Sequence, residues 1–253
     1  MKQDGRSEYI LNILQKKNQV NVLEIAGHFN VAPMTIRRDL AFLERKGLLV
    51  KRYGGAVKTG GGERLFSFAE RLGFHKVEKK AIGKRAARLA SDGETIFIDC
   101  GSTPFQIAPH LIGRKNLRII TNSLPVVSEI IHDTNLRVVL IGGEIANDRR
   151  ASQGPLAEKM ISGFRADKAF IGADGVSTEG GLSAFNESEG VITRKMADLS
   201  REVYLVCDSS KLGKDSFYNF APLSKLTALI TDSRADRDVL SGLRKSGVTV
   251  ITA

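Results

Sequence analysis

Apolar positions in the first sixty residues recur at the spacing of short helices. Ile10, Ile13 and Leu14 form one stripe behind Glu8. Val22, Ile25, Ala26 and Phe29 then follow the i, i+3, i+4, i+7 rule, with Asn21 placed as a cap and Glu24 three positions on. Asn30, Val31 and Ala32 leave room only for a tight turn before Pro33, which suits the first position of a third helix. There Ile36, Leu40 and Leu43 make the inward stripe, while Met34, Arg38 and Ala41 point away from it and Thr35 and Arg37 flank it. Lys46-Gly47 ends that helix. LLVKRYGGAV then predicts a β-hairpin turning at Gly54-Gly55, with Lys51, Arg52 and Tyr53 near its tip. This order of elements predicts a winged helix-turn-helix over residues 1–58.

From Val77 onward the pattern changes to helical segments alternating with short apolar runs. The runs ETIFID, LRIIT, RVVLIGG, ADKAFIGA, VYLVCD, TALITD and VTVITA read as strands. Residues 78–90 and 104–111, SLPVVSEIIH, GPLAEKMISG, SEGVITRKMADLS and ADRDVLSGLRKSG read as helices. Strands apolar on both sides belong to a sheet covered on both faces. The fold class expected over 77–253 is therefore α/β, a doubly wound and mostly parallel sheet. The connection, 59–76, opens on Gly60-Gly61-Gly62 and carries Phe66, Phe68 and Phe74. It reads as a flexible junction followed by aromatics that dock on the second domain or on a partner subunit.

Charge sharpens this division. Residues 1–58 hold eleven Lys/Arg against five Asp/Glu, so +6 of the chain's net +10 lies in its first quarter. That is the footprint of a unit that binds a phosphate backbone. No apolar run is long enough to span a membrane, and MKQDGRSEY has no apolar segment behind its charges, so a cytoplasmic protein is expected. Cys100 and Cys207 stand alone and read as reduced, buried thiols. His28, His75, His110 and His132 lie at no ligand spacing, so neither a metal nor another cofactor is expected.

In doubly wound sheets ligands bind beyond the carboxyl ends of the strands. Those ends carry Asp99, Gly101, Ser102 and Thr103; then Thr121, Asn122 and Ser123; then Gly142-Gly143; then Gly172 and Asp174; then Asp208, Ser209, Ser210 and Lys211. Backbone N–H groups and hydroxyls at Gly101–Thr103 suit a phosphate, Lys211 balances its charge, and Asp99, Asn122, Asp174 and Glu187 suit hydroxyl groups. Arg149 and Arg150 read as a solvated loop pair that could add phosphate contacts. A phosphorylated polyol is the ligand class that fits.

TIRRDLAFLERKGLLVKRYGGAV resembles the winged helix of the DeoR family of bacterial transcriptional regulators, with Ala32 where the family has a capping Ser and Tyr53 where it has a wing His. DCGSTPFQIAPHL, TNSLPVV, LIGGE, GPLAEKM, DKAFIGADGVSTEGGL and DSSKLGKDSF stand in the order of that family's sensor domain. The sensor is in turn similar to ribose-phosphate isomerase, sharing its GST, GAD and D-x-S-K segments. The resemblance implies a repressor of a carbohydrate-metabolism operon. Thr35, Arg37, Arg38, Lys51, Arg52 and Tyr53 would face the DNA operator. Asp99, Ser102, Thr103, Asn122, Asp174, Glu187 and Lys211 would contact a sugar phosphate, with Glu189 competing for the place of Glu187. A homo-oligomer, dimer or tetramer, is expected because paired half-sites need paired subunits.

The rival is a retained isomerase. Proton transfer between adjacent carbons needs a positioned carboxylate base. The isomerase pattern D-G-A-D-E stands here as Ile171-Gly172-Ala173-Asp174-Gly175, with two of its three carboxylates gone. Binding without turnover, and so no catalytic residue, is the expectation.

Overall fold

Successive residues of the central strands point into opposite hydrophobic layers, and this alternation builds the larger part of the protein. The structure, a computed structural model, describes residues 3–17, 19–45, 48–52, 54–57 and 67–253. It divides into two units, Met1–Leu65 and Phe66–Ala253.

The first unit contains α1 (Gln3–Lys17), β1 (Gln19–Asn21), α2 (Val22–Phe29), α3 (Pro33–Arg45), β2 (Val50–Arg52) and β3 (Gly55–Val57). Ile10, Leu14, Val22, Ile25, Ile36, Leu40 and Leu43 are buried together as its core. The Asn21 side chain caps α2 by accepting from Leu23 N at 2.8 Å. Asn30, with φ 50°, turns the chain out of that helix; asparagine is among the few residues that enter the left-handed region readily. The hairpin β2–β3 turns at Gly54, φ 79°. It is joined by β1, a third strand too short for its period to be read in the sequence. The expected helix end at Lys46-Gly47, the wing residue Tyr53, the Gly60–Gly62 junction and Phe66 lie outside the described residues.

The second unit opens with α4 (Phe68–Gly73) and α5 (Lys76–Ala87), so the described part of the expected 59–76 connection belongs to it. Then follow β4 (Thr95–Ile98), the short helix expected over 104–111 as a 3-10 helix Pro104–His110, β5 (Arg118–Thr121), α6 (Leu124–Ile130) and β6 (Arg137–Leu140). Pro109 inside the 3-10 helix has no N–H to give an α-helical bond. Next come β7 (Glu144–Ala146), β8 (Ala151–Gln153), α7 (Gly154–Ile161), β9 (Ala166–Ile171), β10 (Gly175–Ser177), β11 (Gly181–Ala184) and α8 (Glu187–Asp198). The chain closes with β12 (Ser200–Val206), β13 (Tyr218–Ala221), β14 (Ala228–Thr231), α9 (Arg237–Lys245) and β15 (Val250–Thr252).

Seven strands form one parallel sheet in the order β15-β14-β12-β9-β4-β5-β6. Phe97, Ile171 and Leu205 face the layer built on α7, α8 and α9. Ile98, Phe170 and Tyr204 face the layer built on α5, α6 and the 3-10 helix. The sheet is thus doubly wound, as its apolar strands require. β5 and β6 add to one side of β4, and β9, β12, β14 and β15 to the other. The strand order therefore reverses between β4 and β9, where such sheets open a crevice. Two small antiparallel pieces, β7–β8 and β10–β11–β13, ride on this frame in stretches to which the sequence pattern assigns no strand.

Gly83 shows how closely α5 lies on the 3-10 helix: a Cβ there would stand 2.4 Å from Gln106 O. Overpacking of this kind costs about 1–3 kcal/mol. Gly83→Ala is expected to lower the melting temperature by several degrees. Gly27→Ala, in α2 where a Cβ meets nothing within 4 Å, is expected to leave it unchanged or raise it slightly. Thermal unfolding of the two variants beside the parent checks both signs.

Candidate functional site

In the first unit the acids of α3 are turned away from its outer face. Asp39 is buried and accepts from Arg6 through Nε at 2.7 Å and Nη2 at 3.3 Å. Glu44 is tied to Lys51 of β2, accepting from its N–H at 2.9 Å and lying 3.2 Å from its Nζ. What α3 leaves in solvent is Met34, Arg37 and Arg38, with Thr35 half-buried beside them. Lys51 is exposed on the adjoining strand. Arg52 lies in β2, and Tyr53 falls outside the described residues. A helix bearing Thr and two Arg outward near its N-terminal half matches the geometry of a helix that enters a major groove.

In the second unit the polar groups gather where β4, β5, β9 and β12 end. Asp99 ties the seam at which strand order reverses. Its Oδ1 accepts from Cys100 N at 2.8 Å and its Oδ2 from Gly172 N at 3.0 Å, with Thr193 Oγ1 donating at 3.4 Å. Burial pushes the Asp99 carboxyl up, and those two N–H groups restrain it. Both its oxygens are engaged within the fold.

Gly101, Ser102 and Thr103 follow, leading into the 3-10 helix. A Cβ on Gly101 would meet Pro104 Cδ at 2.9 Å. Ser102 Oγ accepts from Lys79 Nζ at 3.1 Å. Lys79, only 4% exposed on α5, also donates to Arg71 O at 2.6 Å and stands 3.8 Å from Asp208 Oδ2. Asp208 is pushed up by burial, but the Lys79 charge and the Ser210 hydroxyl more than offset this and hold it below the ordinary range.

Beyond β9, Asp174 and Glu189 share two cations, and a third reaches Asp174 alone. Arg149 Nη2 lies 2.9 Å from Glu189 Oε2 and 3.6 Å from Asp174 Oδ2. Arg71 Nη1 lies 3.7 Å from Asp174 Oδ1 and 3.9 Å from Glu189 Oε1, and Lys211 Nζ lies 3.5 Å from Asp174 Oδ1. Burial pushes Glu189 up to about 7, against the pull of Arg149 and with the push of Asp174. Burial pushes Asp174 up as well, but Lys211, Arg71 and Arg149 together hold it low.

The structure thus brings Ser102, Thr103, Asn122, Asp174 and Lys211 to one edge of the sheet. It places Glu187 in solvent at the first turn of α8 and sets Glu189, one turn-face inward, in the cluster. Ser123 is fully buried and caps α6, its Oγ accepting from Val126 N at 3.3 Å. Arg149, read as a solvated residue, is 3% exposed. Lys79 and Arg71 were not singled out in the sequence. Nothing local marks them, since a helical Lys and Arg in a basic chain look like surface residues.

Several buried atoms of this cluster lack a hydrogen-bond partner: Arg71 Nε and Nη2, Arg149 Nε and Asn122 Oδ1. Unmet buried donors on guanidinium groups are costly, and an oxyanion is their natural complement. Among the described residues no group of three or more His, Cys, Asp or Glu is placed to hold a metal. A surface groove of about 570 Å³ beside β11 and β13 shares no residue with the cluster. Its cations Arg194 and Lys225 both pair with Asp198.

The raised Glu189 has a consequence for stability. Between the ordinary glutamate value and about 7 the native chain holds a proton that the unfolded chain has released. Glu189 therefore subtracts stability as pH rises through that window. The denaturation midpoint of the parent is expected to fall relative to Glu189→Gln from about pH 5 to about pH 7. Parallel pH profiles for the two proteins contradict this assignment.

Comparison with known proteins agrees with both halves of this geometry. Residues 6–59 match the model of the DeoR-like helix-turn-helix domain, and residues 75–233 that of the DeoR C terminal sensor domain. The glycerol-3-phosphate regulon repressor of Escherichia coli (strain K12) is 33% identical over 92% of this chain and 92% of its own length. The lactose phosphotransferase system repressor of a Staphylococcus epidermidis strain is 38% identical over 92% of this chain and 93% of its own. Among solved structures, ribose 5-phosphate isomerase from Methanocaldococcus jannaschii is 20% identical, covering 53% of this chain and 52% of that one, with a TM-score of 0.38. With both of its units matched in order and its relatives aligned almost end to end, the chain belongs to the DeoR family of transcriptional regulators.

Proposed function

We propose that this regulator represses a carbohydrate-metabolism operon, binding operator DNA through α3 and the β2–β3 hairpin and sensing a phosphorylated sugar or related metabolite in the α/β unit. The observation that carries the sensor half is the convergence of Lys79, Arg71, Arg149 and Lys211 on the strand ends where sheet order reverses. Three of their buried nitrogens have no hydrogen-bond partner. The phosphate would sit at Gly101–Thr103 and Lys79. Asn122, Asp174 and Glu189 would meet hydroxyl groups. The relatives' names point the same way, one to a glycerol-3-phosphate regulon and one to a lactose phosphotransferase system. The reading includes a cytoplasmic homo-oligomer, dimer or tetramer, because two recognition helices one DNA turn apart need two subunits.

Binding rather than turnover is favoured by the state of the carboxylates. Asp99 is engaged by backbone N–H groups, and Glu189 is paired with Arg149. Asp99 is thereby unavailable to take a proton from carbon, and Glu189, though raised to about 7, is held on Arg149 at 2.9 Å.

A thermal-shift panel of sugars and their phosphates tests the sensor. A ligand at 100 times its Kd adds about 2.7 kcal/mol of stability. Stabilisation by a phosphorylated compound and not by its unphosphorylated parent is expected; no shift across the panel overturns the reading. Separation of the two units is tested by two substitutions. Arg38→Ala is expected to weaken operator binding by at least about tenfold while leaving the ligand shift intact. Lys211→Ala is expected to keep operator binding and lose most of the ligand shift. Loss of both activities in both variants contradicts a modular protein.

A further inference from the structure

The seven-stranded sheet ends in an open edge at β6, which pairs with β5 and with no other described strand. Arg137 N and Ile141 N donate to Leu117 O and Thr121 O at 2.9 and 2.8 Å, so the odd-numbered residues of this strand turn their backbone groups toward β5. By alternation the N–H and C=O of Val138 and Leu140 face outward. Such an edge is usually blunted by lysine, proline or a bulge, and β6, Arg-Val-Val-Leu in unbroken register, has none of these. Leu140 is exposed, and apolar side chains border it on both layers. Leu124 opens α6, and Leu156 and Met160 lie one turn apart on the exposed side of α7. Met160 Sδ reaches the end of β6, accepting from Gly142 N at 3.2 Å. The opposite edge, β15, has no such border, since no described residue beyond Phe217 is a large exposed hydrophobic.

We infer that β6 is the seam of a two-fold contact in which it pairs antiparallel with β6 of a second copy, joining two seven-stranded sheets into one. This rests on the homo-oligomer reading and names its surface. Only a register that sets outward-facing residues opposite one another exchanges hydrogen bonds. The register centred on Val139 does so at both open positions, with Val138 of each copy against Leu140 of the other. A second copy is the occupant that the charges select. Arg137 at the start of β6 and Glu144 just beyond its end are exposed, and among the described residues neither enters an ion pair. Antiparallel pairing brings the Arg137 end of one copy to the Glu144 end of the other, twice by symmetry. The axis passes through the sheet, so α7 comes beside α7 and α6 beside α6. Their exposed apolar residues extend a contact that strand pairing alone leaves short of the roughly 800 Å² per partner of a stable dimer.

Sedimentation velocity of the full chain across a range of concentrations tests this. Leu140→Lys puts a charge on the open edge without touching a bond to β5. It is expected to halve the mass of the assembly where the parent stays associated, raising the dissociation constant at least about tenfold, with an unchanged far-ultraviolet circular dichroism spectrum. Arg137→Glu is expected to weaken association, and Arg137→Glu with Glu144→Arg to regain most of it. Val139→Cys places two thiols on the axis, where the Cα atoms of a pair without hydrogen bonds stand about 4.5 Å apart and a disulfide closes readily. Mild oxidation is expected to link this variant into a covalent dimer and to leave the parent, whose Cys100 and Cys207 are buried, unlinked. An assembly unaltered by Leu140→Lys, a Val139→Cys variant that stays unlinked, or an Arg137→Glu loss that Glu144→Arg deepens overturns the seam while the homo-oligomer reading stands. A parent that is a single chain at every concentration overturns that reading, and this inference with it.

Discussion

Two carboxylates taken out of water, Asp174 and Glu189, set the terms for the sensor unit. A buried charge is tolerated only when it is paired and hydrogen-bonded, and even then burial competes with the attraction it permits. Here the compensation is drawn from three distant pieces of chain: Arg71 from α4, Arg149 from the β7–β8 hairpin and Lys211 from beyond β12. Asp99 settles the same problem differently, with backbone N–H groups from both sides of the β4–β9 seam. The doubly wound sheet supplies the reason these groups meet at all. Reversal of strand order between β4 and β9 brings their carboxyl ends side by side while the connections leave in opposite directions. Buried ion pairs contribute little net stability compared with apolar packing, so a cluster with unmet guanidinium nitrogens is a poor brace for the fold.

The first unit handles charge in the opposite way. Its core is apolar, one acid of α3 is satisfied internally by Arg6 and the other by Lys51 at the hairpin, and the cations Arg37 and Arg38 remain in solvent. An acid left on that outer face would repel a phosphate backbone. Pairing Asp39 and Glu44 away from it yields a cationic surface without a large excess of positive residues on the helix.

Much of this was legible in the sequence, and the reason is periodicity. The stripe Ile36, Leu40, Leu43 fixed which side of α3 faces outward, and the apolar strand runs implied a sheet covered on both faces. Strand ends such as FIDCGST pointed to Asp99 and the Gly101–Thr103 turn because ligand sites in these sheets lie at one edge. Illegible were the residues whose role comes from tertiary contact alone. Lys79 reaches Ser102 across 23 positions, and Arg149 reaches Glu189 across 40, so no local pattern distinguishes them from solvated side chains. Glu187 and Glu189 are separated by the helical phase of α8, and the start of that helix decides which one turns inward. The strand β1 has no signature in the sequence because three residues do not make a pattern, yet Gly55 reflects it: a Cβ there would stand 2.0 Å from Val20 O.

A chain that joins a sensor unit to a DNA-reading unit must let the two share free energy. Linkage requires that a ligand which changes operator affinity have its own affinity changed by operator to the same factor. The most direct measurement is the operator dissociation constant of the full chain, taken with and without a saturating amount of a phosphorylated compound that stabilises the sensor. A change of about fivefold or more is predicted, the usual scale of such coupling. Identical constants in the two conditions would contradict it.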